Sequence, residues 1–401
     1  MDHWPRSFLL WFYLLAMVAI TYCRLLVFIR APWRHGRFSR DCPSVNRRRG
    51  VCGLRIAKEQ LYKLPPQAQR LYLMYPAPHT DTWTQETQLP LLHRIVKRLN
   101  VLPPASEDVH PTKLTDSVPA FREWNQALYL APWALAPFLF RSYLYYMNPE
   151  YHIGSWTMWI SLVLFSLTFG LHWVSFLNHL ARKYGYFNGG VGRDTIPYSE
   201  VPKVVTEVVC GLVFRPAMVV FLTYDPAAPP SMTLWAPLQL FFFTLVEDFY
   251  YYWAHRVCHE GESLWKLHRQ HHTTKAPTTL LLGYAGQLQE VFDIVGAPTL
   301  TWLTFPVPFD VFMTWMIIHI SIQLHGHSGI RLWYGSILTG PYLRPFGMEL
   351  ISEDHDLHHR HGWRESYNYG KQSTVWDTIF GTKGERIEAH DGNLLWHHLV
   401  Y

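Results

Sequence analysis

Glu247–His272 reads EDFYYYWAHRVCHEGESLWKLHRQHH, an aromatic run that ends in five histidines. His255 and His259 form an HxxxH, and His268, His271 and His272 form an HxxHH. A second HxxHH follows at His355, His358 and His359. Spacings of three and four residues bring side chains to one face of a helix, so each group is expected to aim its imidazoles at one point. His327, in HGHSG, is the expected ninth member, with His319 and His325 as nearby competitors.

Imidazole is the commonest metal ligand, and nine exceed the roughly four to six that one ion uses, so two metal ions are expected. The chain has 23 histidines, so a single HxxxH would carry little weight; two HxxHH groups within about 100 residues carry much more. The five cysteines (Cys23, Cys42, Cys52, Cys210 and Cys258) are scattered and lack the CxxC spacing of a structural zinc site. HExxH is absent, position 256 being arginine, and so is the Glu-plus-ExxH pattern of soluble di-iron bundles. An all-imidazole pair suits oxygen-activating iron, although ligand identity leaves zinc open.

Outside the motifs the chain looks like a membrane protein. It is 49% hydrophobic, 16% aromatic and only 16% charged, against roughly 25% charged in soluble domains. Apolar blocks at Phe8–Ile29, Leu128–Tyr146, Trp156–Leu180, Val205–Thr223 and Thr233–Trp253 are candidate spans of about 20 residues. The first is expected to be a retained anchor, because its apolar core exceeds that of a signal peptide. Seven arginines between Arg30 and Arg49 place the following segment in the cytosol. Counting spans then puts Met147–Ser155 and Asp225–Met232 in the lumen and every histidine motif on the cytosolic face. Parity also requires Gly296–Leu324, interrupted by Pro306 and Pro308, to enter and return as a hairpin. The expected fold class is therefore all-α: a polytopic membrane helical bundle under a cytosolic histidine-rich cap. Its expected parts are an anchor (1–30), a basic cytosolic linker with short helices (31–125), transmembrane helices (126–244), a catalytic domain (245–385) and a tail (386–401).

From about Leu245 to Lys383 the chain resembles the fatty acid hydroxylase/sterol desaturase superfamily of integral membrane oxygenases. The resemblance rests on EDFYYYWAHRVCH (Glu247–His259), LWKLHRQHH (Leu264–His272), HSG (His327–Gly329), EDHDLHHRH (Glu353–His361) and WDTIFGT (Trp376–Thr382), in the family's order. It implies a helical protein of the endoplasmic reticulum membrane, with catalytic cap and C-terminus cytosolic. It also implies two iron ions and electrons from NAD(P)H through a reductase and cytochrome b5. No HPGG haem motif is present, so that donor is expected to be a separate protein; no nucleic-acid partner is expected. The reaction implied is hydroxylation or other C–H oxidation of a sterol-like, terpenoid or fatty acyl lipid. Desaturation and a catalytically silent metal-binding scaffold are the alternatives. Position 323 is glutamine where an HxxxH ending at His327 would need histidine.

Metal-bound imidazoles commonly donate their second N–H to a carboxylate. Asp248, two turns before His255, and Asp354, beside His355, are the expected partners. Arg215 inside the fourth span is costly to insert and is expected to face a polar cavity or pair within the bundle. The aromatics Phe241–Phe243 and Tyr250–Trp253 are candidates to line a lipid channel.

Overall fold

The 18-residue helix Phe309–Gly326 runs through the centre of the fold, and its near-continuous hydrophobicity has a simple cause: almost every side chain on it is buried. The computed structural model describes residues 88–189 and 192–396, which are mostly helical. In chain order the main helices are α1 (Leu91–Arg98), α2 (Glu123–Met147), α3 (Ser155–Tyr184), α4 (Val201–Thr223) and α5 (Ala236–Glu260). They continue with α6 (Glu262–His268), α7 (Gln287–Val291), α8 (Ala297–Thr304), the central α9 (Phe309–Gly326) and α10 (Ser352–His361). α9 packs against α2, α3, α4 and α5.

Local signals set the helix ends. Arg182 and Lys183 occupy the last turn of α3, where cations favour the helix dipole, and Gly185 closes it at φ +72°. A Cβ on Gly185 would lie 2.4 Å from the His110 carbonyl oxygen, so no larger residue fits without movement. The Asp354 carboxylate accepts the Ile351 N–H at 2.8 Å and caps α10.

α3 (mean hydropathy 1.8) and the 26-residue stretch Tyr198–Thr223 that includes α4 (1.9) have the length and apolarity of a membrane crossing. α2, which contains the expected span Leu128–Tyr146, and α5, which covers Thr233–Trp253 from Ala236 onward, are 25 residues long. They are long enough but fall short of the same hydropathy. The expected span Phe8–Ile29 lies outside the described residues.

The hairpin reading needs one correction. Its descending limb begins at Gln287, not at Gly296, because α7, a π-helical turn (Phe292–Gly296) and α8 form one helical run to Thr304. Gln289, Glu290 and Asp293 interrupt its apolar pattern ahead of Gly296. The turn between the limbs lies at the end of the bundle away from the histidines. There Arg141 donates to Asp310 at 2.9 Å and to the Ala228 carbonyl at 2.6 Å. Ser231 also bonds Asp310, and Tyr224 donates to the Ile153 carbonyl at 2.8 Å. The connections on either side of α3 and α4 therefore meet the start of α9 at that end.

The histidine end is closed by chain from both flanks of the expected catalytic domain. β1 (Val118–Pro119) pairs in parallel with β2 (Leu394–Leu395), and Phe121 N donates to Trp333 O at 2.9 Å. Arg331, buried, pairs with Glu388 at 2.8 Å, and Glu353 accepts the amides of Ile387, Glu388 and Ala389. Residues 118–121 and 386–396 are thus stitched into the cap.

Candidate metal centre

Two clusters of imidazole nitrogens form inside the cap. His255, His259, His268, His272 and His358 make one group, and His271, His327, His355 and His359 make the other; within each group the ligand atoms lie within 4.8 Å of one another. The HxxHH motifs do not each aim at one point, as their spacing suggested. His268 and His272 join the first group while His271 joins the second; His358 joins the first while His355 and His359 join the second. Adjacent helical residues point about 100° apart, so an HH doublet faces two directions. The ring planes of His271 and His272 stand at 89°, and those of His358 and His359 at 85°. Each doublet therefore straddles both groups.

Proton positions follow from the partners. A main-chain carbonyl only accepts, so a ring Nδ1 bonded to one must carry the hydrogen. His255 Nδ1 bonds Tyr369 O at 2.9 Å, and His259 Nδ1 bonds Trp363 O at 2.9 Å. His358 Nδ1 bonds Tyr367 O at 2.7 Å, His359 Nδ1 bonds Thr274 O at 3.0 Å, and His327 Nδ1 bonds Gln323 O at 3.1 Å. His268 Nδ1 bonds the Gln289 side-chain oxygen at 2.6 Å. In the neutral rings every one of these Nε2 atoms is then a bare lone pair, and the lone pairs converge. His255 and His268 meet Nε2 to Nε2 at 2.9 Å. His272 Nε2 lies 3.1 Å from that of His259 and 3.0 Å from that of His358. His327 Nε2 lies 3.1 Å from those of both His271 and His355. His359 Nε2, buried, has no hydrogen-bond partner among the described residues.

The bare lone pairs of His255 and His268, 2.9 Å apart, repel unless a cation lies between them. Metal–nitrogen bonds of about 2.0–2.1 Å at right angles put neighbouring nitrogens about 3.0 Å apart, whereas tetrahedral ligands would be about 3.4 Å apart. Nitrogens 2.9–3.1 Å apart in two groups fit the donor set of two imidazole-bound metal ions.

Burial keeps the rings neutral, as metal binding requires. It lowers His268 from 6.5 to about 4, and His327 likewise to about 4. His272, His358 and His359 are held well below 6.5 by burial first and by neighbouring histidines second. Folded values below the unfolded one mean that the unfolded chain binds more protons between them. Metal-free protein is accordingly expected to be most stable above about pH 6.5 and to lose stability progressively towards about pH 4. Melting temperatures measured at pH 7.5, 6 and 5 check this; a flat profile would contradict it.

Neither expected carboxylate touches a histidine. Asp248 accepts the backbone N–H groups of Lys371 (2.7 Å) and Gln372 (3.0 Å) and the Ser373 hydroxyl (2.5 Å). It anchors the loop that carries the Tyr369 carbonyl, so any effect on His255 is transmitted through that loop. Asp354 caps α10 and pairs with Arg386 at 2.8 Å. The reason is economy of geometry: main-chain carbonyls already occupy most Nδ1 positions. Gly362 (φ +68°) and Trp363 (φ +34°) turn the chain back in left-handed backbone, uncommon for tryptophan, and present the Trp363 carbonyl to His259. Neither competitor histidine joins a group: His325 lies against the Tyr334 ring, and His319 contacts the Gln323 and Gln372 side chains. Arg215 is buried and donates to Gln323 at 2.6 Å, the pairing within the bundle expected of it.

A cavity of about 400 Å³ opens beside the first group, between α5, α6 and the α7 limb. His255 and His268 form its inner wall, Tyr251, Trp253 and Phe292 are among its sides, and Gln289 and Asp293 supply polar groups. Of the aromatics expected to line a channel, Tyr251 and Trp253 do so; Phe243 instead packs on Phe312 and Trp315.

Comparison with known proteins places this arrangement. Residues 240–382, which hold all nine histidines, match the fatty acid hydroxylase family. This chain carries a fatty acid hydroxylase domain. It is 40% identical over 232 residues to a fatty acid hydroxylase, vlmA, of a Lecanicillium species, covering 54% of this chain and 62% of that protein. It is 31% identical over 167 residues to the very-long-chain aldehyde decarbonylase GL1-11 of Oryza sativa, covering 39% and 58%. With the methylsterol monooxygenase erg25A of Aspergillus fumigatus it shares 29% identity over 189 residues, covering 44% and 57%. The matches thus span about three fifths of each relative's length. The names hydroxylase, monooxygenase and decarbonylase indicate an oxidoreductase enzyme family, to which these residues are similar. No solved structure is significantly similar to the chain.

Proposed function

We propose that the chain is a membrane-bound, non-haem di-iron oxygenase that oxidises a C–H bond of a lipid, with hydroxylation as the outcome. The observation that carries the reading is the convergence of unprotonated Nε2 atoms in two groups, the first of them forming the inner wall of a largely apolar cavity. His255, His259, His268, His272 and His358 would hold one ion, and His271, His327, His355 and His359 the other. Bound iron would supply dioxygen reduction, chemistry that no protein side chain provides. The protein's own tasks are those of the cap. Carbonyls from residues 274, 323, 363, 367 and 369 fix five rings, and the cavity walls exclude water and hold an apolar substrate beside His255 and His268. Relatives named for fatty acids and methylsterols support a lipid substrate.

Hydroxylation places one oxygen atom of O2 in the product and reduces the other to water, which consumes two electrons and two protons. We assign those electrons to NAD(P)H through a separate reductase and cytochrome b5. Lipid extracts from cells with and without the protein, compared by mass spectrometry, test the reaction. A species heavier by one oxygen is expected; one lighter by two hydrogens would make the enzyme a desaturase, and no difference in any lipid would count against both.

The same reading places the bundle in the endoplasmic reticulum membrane with its cap facing the cytosol. The gathering of the connections after α2, α4 and α8 at the end away from the histidines supports that orientation. Tags within 31–125 and at the C-terminus are expected to be digested by protease added to sealed microsomes. A tag in Asp225–Met232 is expected to be protected. A protected C-terminus would overturn the topology and deny a cytosolic donor access to the cap.

A further inference from the structure

Five of the fixed imidazoles hold their Nδ1 hydrogen against main-chain carbonyls, whereas His268 holds its own against the side-chain oxygen of Gln289 at 2.6 Å. The Gln289 amide oxygen accepts that hydrogen, which fixes the ring's tautomer with Nε2 bare, and Asp293 follows one helical turn later. The two residues are four apart on the helical run that begins with α7, so one face carries both. Asp293 lies in the π-turn, a distortion often found at functional sites, and both residues line the cavity. The wall that meets the substrate is thus bonded directly to a ring of the first histidine group.

We propose that Gln289 is a positioning residue that sets the tautomer and direction of His268. This rests on the two-metal reading above. Backbone carbonyls hold five of the other rings whatever their side chains are, whereas a substitution at Gln289 can release His268 without touching it. Gln289→Leu removes the acceptor while keeping the volume. It should weaken metal binding at the five-histidine group by about 10–100-fold and leave the four-histidine group intact. Turnover should fall mainly in kcat, because Leu still completes the cavity wall, whereas a residue that only shaped the wall would raise KM.

The test is titration of metal-free, full-length protein in detergent with cobalt(II), followed by visible absorption, with thermal melting as the folding control. Wild type is expected to take up about two equivalents, and Gln289→Leu about one tightly and one weakly, with an unchanged metal-free melting temperature. Gln289→Glu, which restores an acceptor, should recover much of the second uptake. Leu288→Ala, on the same wall but with no side-chain acceptor for a ring hydrogen, should bind cobalt as wild type does. Equal affinities and spectra for wild type and Gln289→Leu would overturn the proposal while leaving the two-metal reading in place. Loss of both sites together with a lowered melting temperature would also overturn it, since the role would then be general folding. A wild type that binds no cobalt would remove the two-metal reading and the proposal together.

Discussion

His358→Ala and His359→Ala, neighbours in sequence, are expected to disable different halves of the metal centre. His358 faces the five-histidine group and His359 the four-histidine group, so each variant should lose about one of two metal equivalents, and from opposite sites. Product formation should fall below detection in both, because oxygen chemistry at a pair needs both members. His268→Ala, His272→Ala and His355→Ala should behave alike, each following its own group. His327→Ala should be severe, since its Nε2 meets both His271 and His355. His325→Ala should be milder, since that ring lies against Tyr334 outside both groups. His390→Ala should be nearly silent, being outside both groups on an exposed residue. Metal analysis of detergent-purified protein and lipid mass spectrometry decide the matter. One equivalent or fewer in fully active wild type would sink the two-metal reading. Zinc taken up during overexpression should fill the sites without supporting turnover, because it binds such ligands more tightly than Fe²⁺ and has no redox chemistry.

Arg193→Ala should be among the most destabilising single changes in the cap. The guanidinium forms a buried ion pair with Asp356 on α10 and donates to the Gly329 carbonyl at 2.7 Å. It ties the helix of His355, His358 and His359 to the turn that follows His327. Removing one partner of a buried pair costs about 3–5 kcal/mol, and Arg360, 2.6 Å from Asp356, should keep the loss near the low end. The expected result is a melting temperature lower by several degrees in metal-free protein, with weakened metal uptake at the four-histidine group. Arg193→Ala combined with Asp356→Asn should regain part of the loss, because no buried carboxylate is then left with Arg360 as its one ion-pair partner. A single variant that melts with wild type would show that the pair contributes nothing.

What was legible in the sequence was what residue type and local spacing can specify. Nine histidines could be picked out because metal ligation demands imidazole and helical spacing clusters it, and the structure gathers those nine and leaves out His319 and His325. The long apolar helices were legible because burial requires continuous apolar character, as on α9. The α7 limb was not, because Gln289, Glu290 and Asp293 interrupt that character for reasons that lie elsewhere in the fold. Asp248 and Asp354 were misread for a related cause: a carboxylate near a histidine in sequence bonds whatever the fold brings to it, here a loop and a helix cap. Only the tertiary structure divides the HxxHH motifs between two groups, since the division depends on where the facing helices sit. Only it supplies the carbonyls of Thr274, Trp363, Tyr367 and Tyr369, because every residue has a carbonyl and no side chain announces which one a turn will aim at a ring. The sequence by itself determined which positions carry imidazole; the packing of α5, α6 and α10 and the loops after them decided which ring nitrogens meet and how each ring is held.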